Sequence, residues 1–270
     1  MTNLEQVFVR MISRMIPVNH MDIQFNIASK CRIKGRELIF FIHGLGCAKE
    51  HFDDAWSFDR LNEYSIVALD LPGFGDSPGH EDFSYNLLEH AEVCKKVIDS
   101  MPGFRVHIVG HSMGGAVGLL LSDMIRERLE SFVNVEGNLI SQAGDISRRN
   151  ASLTFEEFQK KQLPGMIFVT AVSHEPGMKL WSGCIRKSDK KGLYLSSQSL
   201  ARWSESGILL EKFRGLACKK IYLYGEANSF MKVLRMLDGI PAVCISKSGH
   251  FPMNDNPMEF YNTLTDFLVS

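Results

Sequence analysis

The segment Gly-His-Ser-Met-Gly-Gly at residues 110–115 sets a serine in a pattern that can make its hydroxyl a nucleophile. It follows the apolar run Val106–Val109 and precedes the apolar run Ala116–Met124, so we predict a strand, a sharp turn and a helix. A serine hydroxyl is a weak nucleophile unless it is exposed beside a base, and such a turn exposes it. The positions two residues before and two after the serine are both glycine, since larger side chains would obstruct the turn. We predict that Ser112 is the nucleophile.

A second glycine turn, His-Gly-Leu-Gly at residues 43–46, ends the apolar run Glu37–Ile42. Acyl transfer places a negative charge on the carbonyl oxygen, and two aimed backbone N–H groups stabilise that charge. We predict that the N–H groups of Leu45 and Met113 form this oxyanion hole. His43 is predicted to brace the turn rather than to act as a base.

A histidine follows the last apolar run, Ala242–Ile245, in the sequence Ser-Gly-His-Phe-Pro at residues 248–252. A loop at the carboxyl end of a strand can reach the sheet edge that carries Ser112. The other eight histidines lack this position, and their spacing indicates no metal site. We predict that His250 is the general base.

Four motifs, at residues 43–46, 70–77, 110–115 and 249–251, together resemble the α/β-hydrolase superfamily in the branch with a helical cap. The resemblance covers roughly residues 20–136 and 216–270. It implies a mostly parallel sheet of about eight strands, no cofactor, and the chain order nucleophile, acid, histidine. By the same resemblance, residues 70–77 form a structural strand exit near the pocket without a catalytic role.

The triad acid departs from the family pattern. Many relatives carry it in a Gly-x-x-Asp turn after the strand equivalent to Lys220–Tyr224, where this sequence has Asn228. An amide cannot stabilise an imidazolium as a carboxylate does. Some family members take the acid from the end of the preceding strand, where Glu136 stands here, and we predict Glu136 on that basis. Glu136 could instead be an exposed turn carboxylate, and the weaker candidates are Glu226 and Asp145.

Short apolar runs closed by Gly, Asp or Glu recur along the chain and predict strands covered on both faces. These runs are Glu37–Ile42, Ser65–Leu69, Val106–Val109, Ser131–Val135, Lys220–Tyr224 and Ala242–Ile245. Helical patterns lie between them, including an apolar stripe from Leu87 to Ile98 and a capped last helix from Pro257 through Phe267. The fold class is therefore α/β, with a mostly parallel eight-stranded sheet flanked by helices and an inserted helical cap. Amphipathic spacing in Met1–Met21 predicts a short helix at the amino terminus.

Residues 137–215 interrupt the alternation of strands and helices. Helical patterns replace it, one of them starting at the capping box Thr154-x-x-Glu157. We predict a hydrolase core in residues 1–136 and 216–270, with residues 137–215 inserted as the cap. This segment has twelve Lys or Arg residues against seven Asp or Glu residues, which favours either acidic substrates or, more commonly, a solvated basic surface.

Composition excludes several classes of function. The 270 residues carry 30 Lys+Arg and 31 Asp+Glu, so no net field recruits nucleic acid or anionic membranes. No apolar run approaches the roughly 20 residues that cross a bilayer. Six scattered cysteines indicate buried free thiols, which favours a cytoplasmic location. The oligomeric state is left open.

These observations predict a serine hydrolase that cleaves a carboxylic ester, thioester or amide with an apolar acyl or aromatic group. The small-molecule substrate would form an acyl-enzyme on Ser112, without a cofactor or metal. One alternative is a carbon–carbon bond hydrolase or a lactonase with the same triad. Another is a non-catalytic ligand-binding or scaffold protein of the same fold, which Asn228 favours and the intact Ser112 and His250 oppose.

Overall fold

An eight-stranded sheet runs through the computed structural model, which describes residues 11–142 and 145–270. The strand order is β1-β2-β4-β3-β5-β6-β7-β8. The pairs β1/β2 and β2/β4 are antiparallel, and the other neighbours are parallel. The strands are β1 Ile12–His20, β2 Ile23–Arg32, β3 Glu37–Ile42, β4 Ser65–Leu69, β5 Arg105–His111, β6 Leu129–Val135, β7 Lys219–Gly225 and β8 Ala242–Ile245.

The α-helices lie in the connections from β4 to β5, from β5 to β6 and from β6 to β7, and after β8. They are α1 Leu87–Asp99, α2 Met113–Met124, α3 Ile146–Ala151, α4 Phe155–Glu157, α5 Leu163–Ala171, α6 Pro176–Lys187, α7 Lys190–Glu205, α8 Ile208–Gly215, α9 Pro252–Asp255 and α10 Pro257–Val269. Every residue of β4 is buried, as is all of β3 after Glu37, because helices cover both faces there. The predicted α/β class with a mostly parallel eight-stranded sheet is confirmed.

The helix predicted at the amino terminus is wrong where the structure describes it, and residues 1–10 lie outside the described part. Ile12–His20 is strand β1, which pairs along its whole length with β2. Ile16, Val18 and His20 alternate inward, which is the period of a strand. The hairpin turn contains Met21, whose φ is 51°. Gly or Asn normally occupies such a position, so the sequence lacks the usual signal of a hairpin turn.

Helices α3 to α8 all lie between β6 and β7 in the chain. The predicted capping box is present at the start of α4, where Thr154 and Glu157 exchange hydrogen bonds. Helix α7 of this segment contacts α1. The Ser196 hydroxyl of α7 lies 3.1 Å from the buried His90 ring of α1. Among the residues described, no helix is long and apolar enough to span a membrane.

Candidate active site

Ser112 stands at the sharp turn between β5 and α2. Its φ is 52° and its ψ is −119°, a conformation that L-residues rarely adopt and that a constrained turn must impose. A Cβ on Gly110 would collide with the Gly114 carbonyl, and one on Gly114 would collide with the Ile42 carbonyl. The predicted need for glycine at both positions is confirmed. The serine side chain therefore projects from the carboxyl edge of the sheet.

Glu136 follows β6 and contacts His250 across the same edge. Its Oε2 lies 2.9 Å from Nδ1 of His250, although 114 residues separate the two in the chain. Glu136 is 5% exposed, so it is not the exposed turn carboxylate considered above. Its φ of 49° turns the chain away from the strand directly after Val135. Because Nδ1 must donate to the carboxylate, Nε2 of His250 is left as an acceptor.

Asn228 occupies the slot where many relatives have the acid, and its amide binds Glu136. Nδ2 of Asn228 lies 2.9 Å from Oε1 and 2.8 Å from Oε2 of Glu136, and the Gly225 N–H donates to Oε1 at 2.8 Å. Hydrogen bonds from several N–H donors hold a carboxylate in a fixed position. Asn228 therefore supports the carboxylate beside it, a role that the sequence analysis did not anticipate.

The two weaker candidates for the acid do not contact His250. Glu226 accepts a hydrogen bond from the Lys247 N–H at 2.9 Å, and Asp145 accepts one from the Gln142 N–H at 2.8 Å. Glu136 is thus the carboxylate that the structure pairs with His250.

His111, the residue before Ser112, fixes the loop of His250. Its Nε2 lies 2.8 Å from the His250 carbonyl oxygen, so Nε2 is the donor. Burial lowers the pKa of His111 well below its usual range, and this ring therefore stays neutral. Sequence reasoning missed this residue, because its partner is distant in the chain and only the fold brings them together.

The Ser112 hydroxyl donates to Oδ1 of Asn138 at 3.3 Å. Asn138 lies just beyond Glu136 in the connection that leaves β6. The three residues predicted as a triad line one cavity, and the proton of Ser112 points to Asn138 in this conformation. A serine side chain changes rotamer by rotation about a single bond, so the hydroxyl can be redirected at little cost.

The glycine turn at residues 43–46 lies beside Ser112. Within the described part of the chain, the N–H groups of Leu45 and Met113 donate to no protein acceptor. The Leu45 carbonyl, in contrast, accepts a hydrogen bond from the Trp181 indole at 2.9 Å. His43 accepts from the Leu71 N–H at 3.0 Å and contacts the Gly44 carbonyl, which fits its predicted bracing role.

A cavity of about 350 Å³ opens above these residues. Its lining combines apolar and polar side chains in equal number. Apart from the His250–Glu136 pair, Asp145 is the one acidic or basic side chain among the described lining residues that can carry a full charge. The lining is Leu45, Cys47, His111, Ser112, Glu136, Gly137, Asn138, Gln142, Asp145, Ile146, Ser147, Met178, Trp181, Leu200, Asn228, Phe230, Met231, His250 and Phe251. The predicted Met, Trp and Phe lining is present.

In the described ranges, no group of three or more His, Cys, Asp or Glu side chains is arranged to hold a metal ion. All six cysteines have free thiols, and four of them are buried. Cys218 and Cys244 are partly exposed, so the predicted burial holds for four of the six thiols.

The alpha/beta hydrolase family model matches residues 39–263, which is most of the chain. The chain belongs to the alpha/beta hydrolase family. This alpha/beta hydrolase is also 31% identical over 248 residues to a Mycoplasma pneumoniae protein named "Putative esterase/lipase 2". That alignment covers 86% of this chain and 89% of the relative.

Solved structures of other alpha/beta hydrolases share the fold. A thermophilic esterase from Thermogutta terrifontis superposes with a TM-score of 0.76 at 15% identity, covering 96% of this chain and 98% of the esterase. The esterase EaEST from Exiguobacterium antarcticum gives a TM-score of 0.76 at 18% identity, covering 94% and 99%. At these identities the similarity is one of fold.

Proposed function

We propose that this alpha/beta hydrolase is a serine hydrolase that cleaves a carboxylic ester, or a thioester or amide, through an acyl-enzyme on Ser112. Family membership supports hydrolase activity, and the relatives named as esterases favour an ester bond. One observation carries the proposal. The buried Glu136 is hydrogen-bonded to His250 in the same cavity that holds Ser112 on a strained turn.

The reaction follows from the roles of the hydrogen-bonding atoms. Substrate binding displaces the Ser112 hydroxyl from Asn138, and Nε2 of His250 takes its proton as the oxygen attacks the carbonyl carbon. Glu136 stabilises the resulting imidazolium. The unengaged N–H groups of Leu45 and Met113 bind the oxyanion. His250 then protonates the leaving group, and water repeats the sequence to release the acid.

The cavity supports an apolar acyl or aromatic group. Ile146, Met178, Trp181 and Leu200, all from the segment between β6 and β7, contribute apolar walls. This contribution supports residues 137–215 as a cap on a core of residues 1–136 and 216–270. The volume lies at the lower end of the roughly 300–1,000 Å³ usual for small-molecule sites, so we expect short chains or a single ring.

The same contacts distinguish the proposed function from the non-catalytic alternative. The non-catalytic alternative depended on Asn228 replacing the acid, and the amide instead donates to Glu136. A carbon–carbon bond hydrolase or a lactonase would use the same three residues. No contact in the described cavity favours either of them over an esterase.

Labelling with a fluorophosphonate probe tests the nucleophile. We expect the wild type to be labelled and Ser112→Ala to remain unlabelled. Ser147→Ala is the matched control, since Ser147 also lines the cavity and should keep its labelling. Equal labelling of the wild type and Ser112→Ala would refute the assignment. Hydrolysis of p-nitrophenyl esters of graded length then measures the preferred acyl group.

A further inference from the structure

Asp145 places a carboxylate in the wall of the cavity. The side chain is half-buried, and within residues 11–142 and 145–270 Oδ2 accepts one hydrogen bond, from the Gln142 N–H. Asp145 precedes α3, yet its carboxylate makes no capping bond to that helix. Among the described residues it has no ion-pair partner. A carboxylate withdrawn from water with so few partners retains capacity to bind a donor.

The basic residues of the segment 137–215 are directed elsewhere. Lys160, Arg148, Lys187, Lys212 and Arg214 pair with Glu156, Glu205, Asp76, Asp123 and Glu211, respectively. Neither lysine nor arginine appears in the described lining of the cavity. The excess of positive charge in the segment therefore faces solvent and the core surface. It provides no counter-charge for an acidic substrate.

One connection of the chain contributes three of the polar side chains in the cavity lining. Asn138, Gln142 and Asp145 come from the connection between β6 and α3. Met178 and Trp181 come from α6, and they make an apolar wall together with side chains from other elements. A cavity of this kind fits a molecule with an apolar part and a polar part.

We propose that Asp145 is a specificity-determining residue, which selects esters whose polar part carries a positive charge or a hydroxyl and rejects those whose polar part is anionic. This inference rests on the proposed function, because it names the substrate class of the same site. An ammonium or hydroxyl group would donate to Asp145, whereas a carboxylate or phosphate would meet a like charge in a partly desolvated wall.

The charge of Asp145 responds to opposing influences. Burial raises the pKa of its carboxyl group, whereas the hydrogen bond from the Gln142 N–H and the charges of His250 and Arg148 lower it. Asp145, Ser112 and His250 line the same cavity, so a group bound by Asp145 lies in the cavity that holds the reacting atoms. Charge at this position should therefore affect which ester is turned over, and not only which molecule adheres to the surface.

Three esters with the same butanoyl group test the selection. They are the choline ester, which is cationic, the glycerol monoester, which is neutral, and the glycolate ester, which is anionic. For the wild type we expect kcat/KM to fall in that order, with at least about a tenfold difference between the first and the last. Asp145→Asn should bring the cationic and anionic esters within about twofold of each other, chiefly through KM. Asp145→Glu should keep the wild-type order.

Two controls separate this inference from the proposed function. Glu156→Gln removes another carboxylate of the same segment, outside the cavity, and should leave the selectivity unchanged. Fluorophosphonate labelling of Asp145→Asn shows whether that variant keeps a working nucleophile. If Asp145→Asn fails to fold, inhibition of the wild-type enzyme is measured instead. Choline should inhibit it and glycolate should not. Turnover without charge preference, or a preference that survives Asp145→Asn, overturns the inference alone. Absence of both labelling and turnover overturns the proposed function and this inference with it.

Discussion

The two carboxylate oxygens of Glu136 are contacted by three groups: the Gly225 N–H, the Asn228 amide and the His250 ring. In the proposed triad, these contacts divide the role of the acid between two residues. Glu136 supplies the negative charge, and Asn228 holds that charge in position. The expected penalties for removing them therefore differ in size.

Glu136→Gln should slow acylation by about 10³-fold or more, because the amide neither stabilises the imidazolium nor secures the right tautomer. Asn228→Ala should cost about tenfold, the scale of one hydrogen bond to a charged group. Pre-steady-state release of p-nitrophenol from a p-nitrophenyl ester measures both rates. A larger loss in Asn228→Ala than in Glu136→Gln would move the acid away from Glu136.

The residues of the site differ in how far the sequence predicts them. Ser112 and Glu136 lie at the ends of apolar runs, so strand direction alone brings them to one edge. Asn228 and His111 act through partners 92 and 139 residues away, and no local pattern encodes those pairings. The position of Asp145 in the cavity lining likewise depends on how the connection after β6 folds back.

At the scale of elements, β3 and α2 can approach each other closely because residue 114 is a glycine. Gly114→Ala should lower the free energy of unfolding by at least about 3 kcal/mol, since the methyl group would overlap the Ile42 carbonyl. Gly183→Ala in α6 is the matched control, because a Cβ there meets nothing within 4 Å. It should raise stability by up to about 1 kcal/mol through helix propensity. Urea denaturation measures both, and similar stabilities for the two variants would contradict this packing.

The same scale explains which elements the sequence predicted. The runs that became β3 to β8 are continuous and closed by turn residues, so their boundaries agree with the structure to within two residues. The hairpin of β1 and β2 is different. Its inward positions alternate only from Ile16 onward, and its turn uses Met21 and Asp22. Pairing between the two strands stabilises this hairpin, and a local sequence pattern does not reveal that pairing.

At the scale of the whole molecule, the near-zero net charge conceals how charge is distributed. Basic residues of the segment 137–215 pair with acidic residues of the core, as in Lys187 with Asp76 and Lys212 with Asp123. The excess of basic residues counted in the segment therefore describes the charge of the surface. It does not describe the cavity, where Asp145 contributes a negative charge.

Burial of neutral histidines should make the whole molecule sensitive to acid. His43, His51, His90 and His111 are fully buried, and burial lowers the pKa of each, to about 3 for His51 and His90. In the unfolded chain these rings bind protons near pH 6.5, so below that pH the unfolded state holds more protons than the folded state. Stability should therefore be unaffected by these groups above about pH 7 and fall as the pH decreases. For His51 and His90 the loss is about 2 kcal/mol each by pH 5.

Urea midpoints measured at pH 7.5, 6.0 and 5.0 test this expectation. We expect a progressive decrease, and we expect His90→Gln to lose less stability between pH 7.5 and 5.0 than the wild type loses. His90 is the suitable probe because its ring is hydrogen-bonded to the Ser196 hydroxyl, away from the candidate active site. The difference should approach the contribution of one proton, since the glutamine cannot titrate. If the urea midpoint stays constant down to pH 5.0, these histidine rings must be able to bind protons in the folded protein, either in place or through contact with water.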